Sequence, residues 1–377
     1  MTAALTRSQS IQSWHSANQQ FLSKSLDQVR QVLEKQAGTK TDQAEPNNNT
    51  LDNNYDGQPF ALELLSHCFG LTDFEQNLLL LCAGMELDGQ WSNLCQASSG
   101  NPYPTFGLAL NLFESANWSS LTPSATLRRH QLIEIDGGNA LVASPLRIDE
   151  RILHYLTGVQ YLDQRLQSLM HPVNAPGLLV PSHQCLIEQI EQTWTQCLPG
   201  SPLPVIQLIG ADGASLRTVA SETCQHLGLE LQELSAEALP TDWQQLRTMQ
   251  MLCEREYRRS RMAILLNCKD LDIEAVGRKS AIATFIDTVN LPLIVTSRDR
   301  RRQRHRPLVT LEVNQPTSTE QRHLWQSGLG DRAETWQGTI DALVSQFNLS
   351  PSAIHTVCLQ GQAADTPAPL WNLCRRS

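Results

Sequence analysis

The segment from Val205 to Arg217, VIQLIGADGASLR, constrains the fold more than any other stretch of the chain. An apolar run of strand type stops at Gly210, a short glycine-containing loop follows, and a helical pattern begins at about Leu216. A strand that leads through a glycine-rich turn into a helix points the backbone N–H groups of the helix N-terminus at an anion. The layout therefore predicts an α/β domain with the shape of a phosphate-binding site at one edge of its sheet.

The chemistry expected of such a loop is missing from this segment. The P-loop pattern G-x-x-x-x-G-K-[ST] requires a lysine for the β- and γ-phosphates and a hydroxyl for Mg²⁺. Counted from Gly210, the last three positions of the pattern hold Ser215, Leu216 and Arg217. Gly210, Gly213 and Ser215 still offer backbone N–H groups to a phosphate. Arg217 partly replaces the lysine but would repel magnesium, so these four residues form a weak cofactor site without a catalytic residue or metal ligand.

Short apolar strands alternate with helices after this loop. Five runs of strand type lie at Val205–Ile209, Leu229–Leu234, Ala263–Asn267, Leu291–Thr296 and Leu308–Val313. This alternation is typical of a parallel, doubly wound sheet. Helical patterns resume at about Thr317 and continue towards the end of the chain. The sequence thus predicts an α/β domain over residues 182–315 and a helical lid with a tail over residues 316–377.

The first 57 residues have two different compositions. Apolar residues of the stretch 8–35 fall on one stripe of a helix, which predicts a long amphipathic helix. Residues 37–57 are rich in Asn and Asp and poor in large hydrophobic residues, so we predict that this stretch is a disordered linker.

A winged-helix outline follows within residues 58–170. A helix over Pro123–His130 leads into a strand over Gln131–Ile135, an Asp-Gly-Gly turn and a return strand over Ala140–Ala143. Winged helices can bind DNA, and the last helix carries Arg128, Arg129 and His130. These cations equally suit the negative end of the helix dipole or a protein contact, and the surrounding segment is not basic. Residues 171–182, marked by proline and glycine, are the predicted linker to the α/β domain.

The run Arg298–Arg306, RDRRRQRHR, is the most basic stretch of the chain, with six arginines and one aspartate. It is too long to be only one face of a helix or strand. A solvated loop, a contact with a subunit or partner through carboxylates or another module's phosphates, and a nucleic-acid patch remain open. Nucleic acid is the least favoured, because the run contains no aromatic residue for base stacking. The candidate interaction residues are Arg298, Arg300, Arg301, Arg302, Arg304 and Arg306.

Composition restricts the cellular setting of the protein. The net charge is −9, no apolar run is long enough to span a membrane, and the N-terminus has no apolar core of signal-peptide type. Ten cysteines are scattered without a C-x-x-C pair, which indicates free thiols packed as small hydrophobic groups. We expect a cytoplasmic protein without a membrane span.

Several longer segments resemble one protein family. They are CFGLTDFEQNLLLLCAGMELD, PTFGLALNLF, LRRHQLIEI, SPLRIDERILHYLTG and QFNLSPSAI. They resemble the N-terminal half of bacterial winged-helix AAA+ ATPases, some of which accompany phage-tail-like contractile injection systems. In that family a winged-helix region precedes a divergent first ATPase module, and an intact second module follows. The resemblance covers about residues 14–376 and implies that the second module is truncated away or is a separate polypeptide.

The resemblance also implies which residues have diverged. In AAA+ modules the strand that corresponds to Ala263–Asn267 ends in an Asp for magnesium and a Glu that activates water. Asn267 and Cys268 hold these positions here, and neither is a carboxylate base at neutral pH. The polar sensor position of the family falls near Thr296 and Ser297, and the lid lacks the family's sensor arginine. The family binds ATP and Mg²⁺, whereas no cofactor is expected for this chain.

Three hypotheses for the function follow. The first is a degenerate, non-catalytic AAA+-like module for assembly or substrate docking, whose partner is an intact AAA+ module or subunit. The second is an ATP-binding AAA+ ATPase with non-standard motifs, since ATP hydrolysis is the activity of the family. The third is a winged-helix regulator that binds DNA, although the acidic net charge makes nucleic acid an unfavourable partner.

Overall fold

The computed structural model divides the chain into two compact units, Met1–Asp163 and Gln164–Ser377. It describes residues 2–38, 54–55, 58–137, 140–174, 178–198, 201–269, 276–301, 305–361 and 368–376. Most of the stretch predicted to be disordered lies outside these residues.

The first unit is mainly helical. Its helices are α1 Thr2–Gln36, α2 Ala61–Phe69, α3 Asp73–Leu87, α4 Gln90–Ser99, α5 Phe106–Leu112, α6 Thr126–Arg129 and α7 Glu150–Leu156. Its short strands are β1 Asn54–Tyr55, β2 Gln58–Pro59, β3 Ile133–Ile135 and β4 Leu146–Ile148. Helix α3 is central: residues 78–82 are buried on all sides, as their apolar run predicts. Its start is fixed by the predicted capping box, in which Thr72 and Glu75 bind each other's backbone N–H groups.

The hairpin of this unit differs from the prediction. Residues Leu141–Ala143, the predicted return strand, form a short 3₁₀ helix, and the strand that pairs antiparallel with β3 is β4. The reason is burial: Leu146 and Ile148 alternate inwards and are almost fully buried, whereas Leu141 is exposed. The preceding helix is also shorter than predicted, since α6 begins only at Thr126.

The second unit combines a sheet with helices. Its helices are α8 Gln164–Gln167, α9 Pro181–Thr195, α10 Gly213–His226, α11 Trp243–Ser260, α12 Val276–Thr288, α13 Ser318–Leu329, α14 Arg332–Thr335, α15 Gln337–Gln346, α16 Pro351–Gly361 and α17 Ala368–Cys374. Its strands are β5 Met170–Pro172, β6 Val205–Ile209, β7 Glu230–Ser235, β8 Met262–Asn267, β9 Leu293–Ser297 and β10 Leu308–Glu312.

The sheet has the order β10-β6-β9-β8-β7-β5. The five strands predicted from the sequence all run parallel, and the phosphate-type loop follows β6, which lies between β10 and β9. The sixth strand, β5, pairs antiparallel with β7 at the edge. It lies at the start of the stretch that the sequence predicts as a linker, and its three residues are too few to give a periodic pattern.

Apolar packing among the described residues of this unit includes two clusters. The first packs α9 and α10 against one face of the sheet, and it includes Ile206 and Leu208 of β6. The second lies within helices α13 to α17 and contains the buried Trp325 and Ile354. The predicted fold class is confirmed in outline: a helical N-terminal region is followed by an α/β domain with a mostly parallel sheet and by C-terminal helices.

Candidate functional site

The carboxyl ends of strands β6 to β9 border a cleft of about 250 Å³. Parallel pairing sets Asn267 of β8 opposite Thr296 of β9, and Thr296 opposite Leu208 of β6. In open α/β sheets, ligands bind at the carboxyl ends of the strands, where polar side chains from separate strands meet. This cleft is therefore the candidate site.

The loop between β6 and α10 is tighter than the sequence pattern indicates. Helix α10 begins at Gly213, three residues before the predicted start, because Asp212 caps it. The Asp212 carboxylate accepts hydrogen bonds from the backbone N–H of Ser215 at 2.9 Å, from the Ser215 hydroxyl at 2.6 Å and from the Ala214 N–H at 3.4 Å. A carboxylate of the chain itself thus satisfies the N–H groups that a P-loop would present to phosphate.

The two glycines of the loop have different roles. A Cβ on Gly210 would lie 2.7 Å from the carbonyl oxygen of Val313, so this glycine permits a close approach between the loop and the chain after β10. A Cβ on Gly213 would meet only ordinary contacts, 3.6 Å from Nη1 of Arg217 and 3.8 Å from Nζ of Lys269. Gly210 is thus required for close packing of the backbone, whereas Gly213 lies between two cations at ordinary contact distance.

Leu216 and Arg217 hold the positions of the P-loop lysine and hydroxyl. Leu216 is fully buried and belongs to the apolar cluster with Ile206 and Leu208. Arg217 instead forms a two-pronged ion pair with Glu233 of β7, with its Nε 2.8 Å from Oε2 and its Nη2 2.9 Å from Oε1. The arginine is therefore held by an acid of the neighbouring strand.

Glu233 connects Arg217 to the end of β8. Its Oε1 also accepts a hydrogen bond of 3.0 Å from the side-chain amide of Asn267. Burial alone would raise the pKa of Glu233, but the hydrogen bonds and charge of Arg217 and the Asn267 amide outweigh it, so the pKa lies below its ordinary value. Glu233 is ionised at neutral pH and fully engaged with these partners.

At the end of β8, where the resemblance leads to an expectation of two acids, the chain has Asn267 and Cys268. The Asn267 amide oxygen accepts hydrogen bonds from the Lys269 backbone N–H at 3.1 Å and from the Thr296 hydroxyl at 3.3 Å. Cys268 is buried, and burial raises the pKa of its thiol to about 11. Neither residue can act as a general base near pH 7.

These side chains do not fit a magnesium nucleotide held in the P-loop manner. Asp212 would repel a phosphate at the helix N-terminus, Arg217 stands where a magnesium ligand is required, and Asn267 is engaged on both sides of its amide. Within the part of the chain that the structure describes, no group of three or more His, Cys, Asp or Glu residues could hold a metal ion.

The basic run divides into members with different surroundings. Arg306 is buried, and its guanidinium donates to the carbonyl oxygens of Leu203 at 2.5 Å, Val289 at 2.5 Å and Leu291 at 2.7 Å. Burial lowers its pKa to about 10. The hypothesis that Arg306 is an interaction residue is therefore wrong. Sequence alone cannot distinguish an arginine that binds buried carbonyl groups from an exposed arginine of the same run.

The remaining described arginines lie nearer the carboxyl edge. Arg298 is exposed and lines the cleft. Arg300 is exposed and forms an ion pair of 2.6 Å with Glu312 of β10. Arg301 is partly buried, and its backbone N–H donates to Gln207 at 3.2 Å. Arg302 and Arg304 lie outside the described residues.

The sequence analysis missed Gln207, which anchors the start of the basic run. Its buried amide donates to the Ser297 hydroxyl at 2.7 Å and to the Asp299 carbonyl oxygen at 3.0 Å, and it accepts from Thr310 at 3.0 Å. The available signal was a polar residue inside the apolar strand VIQLI. Glu233 and Lys269 were also missed, although each lies at or just beyond the carboxyl end of a strand, where site residues collect.

The basic residues of the winged-helix region are partly engaged within their own unit. The Arg128 guanidinium donates to the Leu121 carbonyl oxygen at 2.5 Å. His130 is buried and packs against Phe69 with 5.1 Å between ring centres. Arg129 is exposed. Helix α6, which carries the two arginines, has only four residues.

No disulfide joins the cysteines of the described residues, and most of these cysteines are buried. Among the helices that the structure describes, none combines the length and the apolar character that crossing a bilayer requires.

Comparison with known proteins assigns both ends of the chain. Residues 4–170 match the family model described as winged helix domain, variant, and residues 317–377 match the model of the contractile injection system ATPase helical domain. Each match is to a part of the chain, and neither family model covers half of it. The winged helix domain ends at β5, and the ATPase helical domain spans α13 to α17.

Solved structures that are similar to part of the chain include two AAA+ ATPases, katanin and PCH-2. A katanin structure, from work on katanin self-assembly, has a TM-score of 0.37 and 13% identity over 57% of this chain and 86% of that chain. PCH-2 of C. elegans has a TM-score of 0.36 and 11% identity over 56% of this chain and 73% of that chain. A chain of the E. coli MS115-1 HORMA:CdnC:Trip13 complex has a TM-score of 0.35 and 10% identity. The match covers 53% of this chain and 89% of that chain. No curated protein matches the chain.

Proposed function

We propose that the protein is a non-catalytic AAA+-type module that acts in assembly or substrate docking beside an active ATPase. The observation that carries the proposal is the Asp212 carboxylate, which caps helix α10 where a working P-loop holds phosphate. The winged helix domain and the contractile injection system ATPase helical domain support a place beside such a machine.

The two residues at the end of β8 support the non-catalytic part of the proposal. Hydrolysis requires a group that activates water, and the end of β8 offers the Asn267 amide and the buried Cys268 thiol. Among the described residues that line the cleft, Glu233 is the acid, and it is ionised and bound to Arg217 and Asn267. Its role in this arrangement is to hold Arg217 in place.

The docking part of the proposal depends on the exposed arginines at the carboxyl edge. Arg298 and Arg300 are exposed, and the ion pair of Arg300 with Glu312 is open to solvent on both sides. Exposed arginines bind carboxylates with two parallel hydrogen bonds, and they exchange a weak surface pair for a partner at little cost. An acidic face of a neighbouring ATPase module fits this edge.

A nucleotide titration tests the non-catalytic assignment. The full chain is titrated with ATP in the presence and absence of Mg²⁺ by calorimetry, and phosphate release is followed in parallel with an intact AAA+ ATPase as the positive control. We expect no binding that depends on Mg²⁺ and no phosphate release above buffer. Submicromolar ATP affinity with turnover would instead favour the hypothesis of an ATPase with non-standard motifs.

A charge-reversal experiment tests docking. Binding of an intact ATPase module from a contractile injection system is measured by biolayer interferometry for Arg298→Glu, Arg300→Glu and Arg322→Glu. Arg322 is the matched control, since it forms an exposed ion pair with Asp341 in the C-terminal helical domain. We expect the first two variants to weaken binding and the third to leave it unchanged. Equal binding by all three variants would rule out docking through this edge.

The DNA-binding hypothesis receives less support from the contacts. Arg128 is committed to the Leu121 carbonyl group and His130 to the protein interior, which leaves the exposed Arg129 for phosphate contacts. The test is binding of duplex DNA at physiological salt by the native chain and by Arg129→Ala. Binding that this variant abolishes would support the hypothesis.

A further inference from the structure

We propose that the outer edge of strand β10 is a docking site for an extended segment of a partner polypeptide, which joins the sheet as a further strand. The partner segment has apolar or β-branched side chains at alternate positions and a carboxylate at the end that meets Arg300. This site goes beyond the proposed function, since it requires neither a nucleotide-free cleft nor an ATPase as the partner.

Strand β10 is paired on one side within its sheet. It is the terminal strand of the order β10-β6-β9-β8-β7-β5 and pairs parallel with β6. At the start of this pair, the Val205 N–H donates to the Pro307 carbonyl oxygen at 2.8 Å. At its end, the Val313 N–H donates to the Ile209 carbonyl oxygen at 2.7 Å. Because backbone groups alternate in direction along a strand, the odd-numbered residues of β10 face β6 and the even-numbered residues face outwards.

The outward backbone groups belong to Leu308, Thr310 and Glu312. Within the part of the chain that the structure describes, no hydrogen bond reaches their main-chain N–H or C=O groups. Their polar side chains do not serve these groups either, since the Thr310 hydroxyl binds Gln207 and the Glu312 carboxylate binds Arg300. No residue of β10 is buried, whereas every residue of the inner strand β9 is. The edge therefore offers a row of donors and acceptors to another extended chain.

The opposite edge of the sheet is blunted, as free edges of natural sheets usually are. Strand β5 has three residues and ends in Pro172, which has no backbone N–H. Strand β10 has five residues, contains neither Pro nor Lys, and includes the β-branched Val309 and Thr310. Natural proteins cover or blunt an edge of this kind, so an open one favours a partner strand.

The side chains along the edge define the chemistry of the partner segment. Val309 and Leu311 pack with the cluster of α9 and α10 but are only partly buried, so apolar side chains on an added strand would extend their cover. At the carboxyl end of β10, Arg300 binds Glu312 through Nη2, and its side chain is 70% exposed. A guanidinium has further donors, so Arg300 can bind a second carboxylate.

A second copy of this chain would not bring that carboxylate. Closed dimers have two-fold symmetry, which sets two β10 strands antiparallel. In such a pair centred on Thr310, Glu312 of one copy lies opposite Leu308 of the other and away from the Arg300 of that copy. The edge therefore suits a foreign acidic segment.

The first test measures binding of a fluorescent peptide to the full chain by anisotropy. The peptide alternates Val and Thr and carries Glu at both ends, so that either strand direction brings a carboxylate to Arg300. Two control peptides carry N-methyl groups on alternate residues, which removes the N–H groups of one side of the strand or of the other. We expect one control to bind about tenfold or more weakly and the other to bind like the parent peptide. Equal affinities of the two controls would overturn the proposal.

Amide hydrogen exchange followed by NMR tests the same edge residue by residue. In the free chain the amides of Leu308, Thr310 and Glu312 should exchange fast, while those of Val309 and Leu311 should be protected by β6. The peptide should slow exchange of the first three. Bound peptide that leaves these amides fast would show that it lies elsewhere and would overturn the proposal.

A pair of variants at one position separates the outward N–H from the side chain. Thr310→Pro and Thr310→Val both remove the hydroxyl that binds Gln207, but only the proline removes the outward N–H. Proline is tolerated on an edge strand where the N–H faces solvent, and circular dichroism checks that both variants fold. We expect Thr310→Pro to weaken peptide binding about tenfold or more and Thr310→Val about twofold or less. Equal affinities of the two variants would count against the edge.

The charge of the partner and its identity are tested separately. Arg300→Ala should weaken the Glu-ended peptide by about two- to fivefold and leave a Gln-ended peptide unchanged. Equal binding of the two peptides to the native chain would overturn the acidic part of the proposal. A dimer of the native chain that Thr310→Pro disrupts, seen by sedimentation velocity, would assign the edge to a second copy instead. Failure of the peptide to bind would overturn this site alone, because the nucleotide titration does not involve β10.

Discussion

The basic run links two edges of the sheet whose arginines lie in opposite surroundings. At the amino edge, before β10, Arg306 is buried and surrounded by backbone carbonyl groups. At the carboxyl edge, after β9, Arg298 and Arg300 are exposed, and Arg298 lines the cleft. The same residue type within one short segment therefore stabilises the fold at one edge and is available to a ligand or partner at the other.

The difference shows what decides the role of a cation. Arg306 meets carbonyl oxygens from the segments before β6 and before β9, where the chain enters the sheet and backbone acceptors lack strand partners. The carboxyl edge instead meets the N-terminus of α10, where N–H donors are exposed, and the Asp212 carboxylate has taken them. Cations at that edge have side-chain partners such as Glu233 and Glu312, whose bonds are partly open to water.

The largest effect is expected at the amino edge. Arg306→Met keeps the length of the side chain but removes three hydrogen bonds to carbonyl groups. We expect unfolding free energy to fall by about 3 kcal/mol, at about 1 kcal/mol for each lost bond, as measured by urea denaturation. Arg300→Ala is the control and should cost less than about 0.5 kcal/mol, because its ion pair is solvent-exposed. Equal losses for the two variants would mean that the edges do not differ.

An intermediate effect is expected from Glu233→Gln at the carboxyl edge. The change removes the charge that holds Arg217, and we expect a loss of about 1–2 kcal/mol at neutral pH. The folded state lowers the pKa of Glu233, so its contribution is complete above the unfolded pKa and is lost as pH falls through the folded value. Urea denaturation of both proteins as a function of pH should therefore show the difference vanish in acid. A difference that grows in acid would contradict this assignment.

The smallest effect on stability is expected from Asp212→Ala. Loss of the N-cap of α10 should lower the unfolding free energy by about 1 kcal/mol. Asp212→Asn, which keeps a capping oxygen without the charge, is the matched control and should retain stability. An equal loss of stability in both variants would show that the charge of Asp212, and not its capping oxygen, stabilises α10.

The sequence was informative where local pattern and fold agree. The alternation of strands and helices after Val205 correctly gave the parallel strands, and the capping box at Thr72 gave the start of α3. It was less informative where a strand has only three residues. Strands β4 and β5 were misplaced or missed for this reason, since three residues carry too little alternation to be distinguished from a loop.

Only some residues of the candidate site could be predicted from the sequence. Leu216 could be identified as a departure from the P-loop pattern because the motif has a fixed spacing along the chain. Asn267 could be identified only through the family resemblance. Their partners could not, since Glu233 and Lys269 reach the site from other strands, and the pairing of Glu233 with Arg217 depends on which strands are neighbours. Asp212 lay within the motif itself, but its role as a cap becomes clear only once α10 is known to begin at Gly213.

By itself the sequence determined the class of the α/β domain and the loss of the lysine, the hydroxyl and the acids of a nucleotide site, because these are properties of residues near one another along the chain. Only the tertiary structure decided what replaces them. It placed Asp212 on the helix N-terminus, brought Lys269 and Arg217 together above Gly213, and buried Arg306 while leaving Arg298 exposed. The physical reason is that burial and charge pairing depend on distances in space, which a parallel sheet sets between residues far apart in sequence.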